Sequence, residues 1–436
     1  MQKMKQSQQP TLMDSLKEAI VNQQARMEAL PFIAALTKGR LPLESYVGLL
    51  RAMAVIQGTL EHELAQIGSE AIRTVLLDRP SRLVHLRKDL SIFDQQLIPD
   101  IETVLGHSRK IAERIRLYRV EQPDDLLGII YVLEGTTLGN AVHLRDVLNC
   151  IGSKTSGKAY YYAGYGRETA KYWQAFRDAM NSLPMDEDGC KRIIQVALDF
   201  FDQLEALFSA LYPLENARMV FTAGMLNPEA GDHAVPDNAT EIAAAVLAAK
   251  KCREEFPYFD ERYQERGRSF GKSDVAWLAS LAVLPETQLL SQVEWLGRVL
   301  ANRGMPRITL ERQLELLYEE LVESVPSKID QFKGLLAAAT HLKVERLNTI
   351  AEEVFSNLAR EFRLATEGEL QGRLKRTGNL IISAVCDESA GISDAVNSLL
   401  PWLTDAQRFS PQWIMAVTRT FEQAHVNVQH PQRTQF

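Results

Sequence analysis

The chain has 436 residues, 46% of them hydrophobic and 24% charged, with 49 Lys and Arg against 56 Asp and Glu for a formal net charge of -7. At roughly 100–200 residues per domain this length predicts two or three domains, and the composition excludes a wholly disordered chain. No apolar run approaches the ~20 residues of a membrane-spanning helix, and the mild acidity gives no footing for nucleic-acid binding.

Met1 to Pro10 is polar and Gln-rich, without the apolar core of a signal peptide. Cys150, Cys190, Cys252 and Cys386 lie far apart with no CxxC pair, which argues against a zinc knuckle and a disulfide framework. The expectation is a cytoplasmic protein.

In chain order nearly every segment reads as helix, with apolar residues at three- and four-residue steps and no convincing β-branched alternation. Asp14 to Ala35 is helical, with Gly39 as its C-terminal stop. Pro42 and Glu44 open a helix that carries Tyr46, Leu49, Leu50, Met53, Ile56 and Leu60 toward a core. Further helices are expected at 68–91, 97–119, 123–151, 166–182 and 186–212.

Residues 216–238, with Gly224, Pro228, Gly231 and Pro236, read as a linker between a domain spanning 10–215 and another spanning 239–436. The second block is again helical, at 239–254, 273–284, 287–302, 309–323, 327–339, 342–364, 367–386, 390–400 and 411–425. Thr366 with Glu369 and Thr404 with Gln407 fit capping boxes, and Ser410 before Pro411 fits an N-cap. Trp277, Trp295, Trp402 and Trp413 sit in apolar patterns and read as core, and the tail after His425 reads as frayed. The fold class is all-α.

The informative stretch is Gly128-Ile-Ile-Tyr-Val-Leu-Glu134-Gly135-Thr-Thr-Leu138-Gly139-Asn-Ala-Val-His143. Gly135 and Gly139 stand inside a helix at a cost of about 1 kcal/mol each against alanine. Such a cost implies close approach by another helix or by a flat ligand.

This pattern resembles the distal helix of the bacterial haem oxygenases, (V/I)-x-E-G-(S/T)-x-L-G, which crosses one face of haem and leaves room for dioxygen. Gln24-Ala-Arg26-Met27-Glu28-Ala-Leu30 is similar to the family's H-x-R-(L/M)-E-x-L segment. Arg82 to Leu90 looks like its R-…-D-L step, and Tyr160 to Phe176 looks like its late aromatic segment with Gly164, Trp173 and Phe176. The resemblance covers residues 10–212 and implies a haem-oxygenase-like helical domain. Its cofactor-binding residues, by position, are Gln24, Glu28, Glu134, Gly135, Gly139 and His143.

At Gln24 the family has the histidine that ligates haem iron. An amide is a far poorer iron ligand than imidazole, and no histidine precedes His62 to replace it. The expectation is therefore a module that has lost the usual iron ligand. It holds a tetrapyrrole or another flat hydrophobic molecule without degrading it, or serves as a protein-interaction or regulatory scaffold. The alternative is an active haem oxygenase, giving biliverdin, iron and carbon monoxide with help from a reductase through an atypical ligand such as His143 or Gln24 through water.

A di-iron oxidase is a third reading, drawing on Glu28, Glu61, His62, Glu63, Glu134 and His143. It lacks paired E-x-x-H spacing, because Glu422-Gln-Ala-His425 stands alone. No metal site is expected, and His62, His85 and His107 read as solvated.

Gly267 to Ser273 falls one residue short of a phosphate-binding loop. The surrounding Phe256 to Asp274 segment mixes basic and aromatic residues. Those types fit an anion site, a contact with the first domain or a structured interdomain loop.

Overall fold

The computed structural model describes residues 10–76, 79–93, 96–151, 155 and 157–428. The Gln-rich start and the last part of the tail lie outside them. The chain divides into two compact units, Met1–Glu229 and Ala230–Phe436. Both are built of α-helices, and all-α is the fold class of the chain.

The first unit begins with three short helices where the sequence predicted one: α1 (Leu12–Ala19), α2 (Val21–Glu28) and α3 (Pro31–Thr37). Thr11 caps α1 in a capping box with Asp14. Pro31, which has no N–H to donate, starts α3 at its first position. Then come α4 (Leu43–Leu64), α5 (Glu70–Leu76), α6 (Arg82–Ile92), β1 (Asp100–Ile101), α7 (Glu102–Glu121) and α8 (Leu126–Ile151). They are followed by α9 (Thr169–Ser182), α10 (Glu187–Leu211) and β2 (Met219–Val220).

Helix α4 is the spine of this unit, packed against α6 and α7, while α10 packs against α8, α7, α1 and α2. Arg51 on α4 is buried and donates to Ile98 O at 2.6 Å and Asp100 Oδ1 at 2.8 Å. Strands β1 and β2 pair antiparallel, Asp100 opposite Val220. Thr222 donates to the other oxygen of Asp100. The segment read as a linker thus contributes a strand to the first unit before the chain enters the second.

The second unit contains α11 (Ala239–Glu255), α12 (Tyr258–Ser280), α13 (Glu286–Ala301), α14 (Ile308–Ser324) and α15 (Ile329–Thr349). After them come α16 (Glu352–Ala365), α17 (Thr377–Ser389), α18 (Ala395–Leu403) and α19 (Pro411–Asn427). Ala244, Ala245, Ala248 and Ala249 give α11 a slim buried face, and α14 packs closely on it. Arg346 holds Glu311 with two bonds of 3.1 Å in this core.

Several expectations need correction. Residues 258–272 are not a loop but the first part of α12, which breaks at Gln264 (φ 51°, ψ -140°). The predicted helices at 327–339 and 342–364 run together as α15, and the break falls at Ile350, whose extended backbone (φ -144°, ψ 134°) stops the helix. Thr366 and Thr404 end helices instead of starting them, each donating its hydroxyl back to the preceding turn. Trp295 is 57% exposed and is not core. Ser410 does cap α19, accepting from Trp413 N at 3.1 Å.

Candidate functional site

Helix α8 carries the glycine motif and runs unbroken from Leu126 to Ile151. Its first half is buried on all sides, from Leu126 to Leu133. Gly128 is the position where another helix demands glycine. A Cβ there would lie 2.9 Å from Ala197 N and closer still to Ile193 O, both backbone atoms of α10.

The second half of α8 is different. A Cβ on Gly135 would meet only the tip of the Trp173 ring, at 3.9 Å, and one on Gly139 would meet nothing within 4 Å. Beside Gly139, Leu138 is 36% exposed and Val142 77% exposed. Around Gly139 the helix thus presents a partly exposed small-residue apolar face.

Glu134 is not available on that face. Arg79 pairs with it at 3.1 Å and the Tyr165 hydroxyl donates to it at 3.0 Å. Arg79 in turn lies 4.7 Å over the Phe176 ring. Burial and the neighbouring carboxylate push the Tyr165 phenol well up, so it remains a donor. Glu134 therefore anchors α8 to the aromatic segment and is a structural acid.

The same segment is held from α6. Asp89 accepts from Tyr160 N at 2.7 Å and Tyr161 N at 2.8 Å, and Arg82 donates to Tyr161 O at 2.6 Å. Burial pushes the Asp89 carboxyl up, while those two N–H groups and Arg82 pull it back. Two motifs that were separate in the sequence thus form one hydrogen-bonded unit.

Gln24 lies on the exposed surface of α2, and its Nε2 donates to Glu28 Oε1 at 3.1 Å. Gln23 beside it has its Oε1 buried with no hydrogen-bond partner. Arg26 fastens α2 to α10 through Asp202 and through Glu205 at 2.7 Å. His143 is half-buried with Nδ1 3.2 Å from Asp146 Oδ2, an interaction within its own helix.

The carboxylates of Glu28 and Glu134 thus have different partners, and no paired acid–base arrangement forms from them. Among the described residues, the group of three that gathers as metal ligands would is Glu294, His341 and Glu345, in the second unit. It contains none of the residues weighed for a di-iron site. His425 of the lone E-x-x-H pairs with Glu388 at 3.3 Å. His62 is exposed, as read, whereas His85 and His107 are partly buried, which pushes both imidazoles down.

The sequence missed Gly128 as the helix crossing, since it stands among large apolar residues with no spacing signal. It also missed Arg79 as the partner of Glu134, which only the fold brings to α8.

Residues 10–210 match the family profile of heme oxygenase. Heme oxygenase 1 of Synechocystis is 23% identical over 203 residues, which cover 46% of this chain and 84% of that protein. Among solved structures, heme oxygenase-1 of Synechocystis in complex with heme is 22% identical with a TM-score of 0.42, covering 46% of this chain and 92% of that one. Heme oxygenase from Leptospira interrogans is 21% identical with a TM-score of 0.41, covering 46% of this chain and 98% of that one. What the first unit contains, at residues 10–210, is a segment that matches the heme oxygenase family model.

Proposed function

We propose that the first unit holds a tetrapyrrole, or another flat hydrophobic molecule, against the open glycine face of α8 without degrading it, as a binding or regulatory module. The observation that carries this reading is the space at Gly139. Two glycines that each cost about 1 kcal/mol in a helix have, among the described residues, no neighbour that requires them. Exposed Leu138 and Val142 would supply apolar contact to a macrocycle on the same stretch of helix.

The residues fit the ring of haem better than its iron. Haem supplies oxygen activation only when a strong axial ligand donates to the metal, and the family's ligand position is Gln24, whose amide is engaged with Glu28. No step of haem cleavage is therefore derived for this chain.

The four cysteines are all free, which supports a reducing, cytoplasmic setting. No helix of the described residues is long and apolar enough to cross a membrane.

Titration of the full-length protein with haem, read from the Soret to the visible bands, tests the proposal. Saturable one-to-one binding is expected, with the Soret band retained under reductant, oxygen and catalase. Gln24→His should tighten binding about tenfold or more and alter the spectrum toward imidazole ligation. No binding in either protein overturns the pocket, and conversion of the native complex to biliverdin overturns the non-degrading reading in favour of the enzyme.

A further inference from the structure

In the second unit, α11, α12, α13 and α14 line an open pocket of about 540 Å³. That volume lies in the ~300–1,000 Å³ range of small-molecule sites. Phe259, Phe270, Leu278, Leu296, Leu300 and Leu310 form its apolar wall. The break of α12 at Gln264 folds the helix so that Tyr263 before it and Phe270 after it both reach the cavity.

Two polar groups on this wall lack partners. Arg253 has its Nη1 buried without a hydrogen bond, and Gln313, only 9% exposed, has its Nε2 buried without one. The nearest carboxylate to Arg253 is Asp260, 3.7 Å from Nε and not from Nη1. A buried donor left unmet costs about 1–3 kcal/mol, so a pair of them in one cavity is an unfinished site.

Both unmet groups are donors, and the partner that answers them is an acceptor. Arg266 and Arg303 also line the cavity, against Asp274 as the one acid. Arg303 is the charge that acts on Asp274. A guanidinium N–H from α11 and an amide N–H from α14, both on the lining of one pocket, suit the oxygens of a carboxylate.

We infer that this cavity binds a small amphipathic carboxylate, its head group held by Arg253 Nη1 and Gln313 Nε2 and its hydrocarbon body lying against Leu278, Leu296, Leu300 and Leu310. The site is independent of the α8 face, because all its residues belong to the second unit. Phe259, Tyr263, Arg266 and Phe270 of the 256–274 segment are part of this wall.

Gly271 supplies the test. It lines the cavity in a helical conformation, and a Cβ there would sit 3.8 Å from Arg253 Nη1, in ordinary contact. Gly271→Leu thus projects into the site while improving helix propensity. Full-length protein is titrated calorimetrically with dodecanoate below its micellar concentration, and with dodecanol as the uncharged match.

One saturable site for dodecanoate is expected, with dodecanol at least tenfold weaker. Arg253→Met should weaken dodecanoate about tenfold and leave dodecanol nearly unchanged. Gly271→Leu should abolish binding of both with an undiminished Tm, which separates blockage from unfolding. No binding of dodecanoate, equal affinity for the two probes, or binding that survives both substitutions would each overturn the assignment.

Discussion

Helices α8 and α12, one in each unit, both carry glycines four residues apart, Gly135 with Gly139 and Gly267 with Gly271. In α8 the helix is unbroken, Gly135 meets only the tip of the Trp173 ring and Gly139 faces open space. In α12 the helix is broken at Gln264, Gly267 sits where a Cβ would lie 2.5 Å from that of Tyr263, and Gly271 lines a pocket. The spacing is identical and the physical reasons differ. What a glycine is for depends on what occupies the place of its missing side chain.

The sharpest way to break this comparison is at Gly128, the glycine of α8 that a neighbouring helix does require. Gly128→Ala puts a methyl group into the α10 backbone, which has no flexible end to move aside. It should destabilise the first unit by about 2–3 kcal/mol, seen as a lowered transition in calorimetry. A neutral result would mean that α8 and α10 are not locked at this crossing.

Next in size is Asp274, beside the glycines of α12. Burial pushes its carboxyl up to about 6. The folded chain then keeps this proton between roughly pH 4 and 6 while the unfolded chain loses it, so this group's share of stability falls as pH rises through that window. Asp274→Asn should raise stability at pH 8 by about 1–2 kcal/mol and leave it unchanged at pH 4. Denaturant midpoints at the two pH values measure this, and an equal effect at both would rule out titration as the cause.

The smallest effect is expected at Gly139. Gly139→Ala meets no neighbour and should stabilise the first unit by about 0.5–1 kcal/mol through helix propensity alone. Placed on the face proposed for a ligand, Gly139→Leu should in contrast weaken haem binding several-fold without loss of Tm. If haem binding is untouched, the ligand does not use this face.

Much of the helical order was legible in the sequence, because an amphipathic segment such as α10 buries an apolar stripe with the helical period. Where the reading failed, the cause was local. The first part of α12 spends its charged residues on a cavity and on surface pairs, Arg268 with Asp260 among them, so no apolar stripe marks it as helix. Between α15 and α16 the chain turns at Ile350 without glycine or proline, and nothing in the composition marks that stop.

The glycine helix was visible as an anomaly, and so was the departure at Gln24. The division of labour among Gly128, Gly135 and Gly139 was not, because it depends on α10 and α9 arriving from elsewhere in the chain. Arg253 and Gln313 were equally hidden, since an unmet donor is a property of the packed state.

The two-residue pairing of β1 with β2 decides where this chain can be divided. The family match stops at residue 210, but the strand at Met219–Val220 and Thr222 both bond to the first unit after that point. A fragment trimmed to the match would leave Asp100 without Thr222 while Arg51 still leaned on it from the core. Expression fragments should therefore end at Glu229, so that poor behaviour of a shorter piece is not mistaken for a property of the domain.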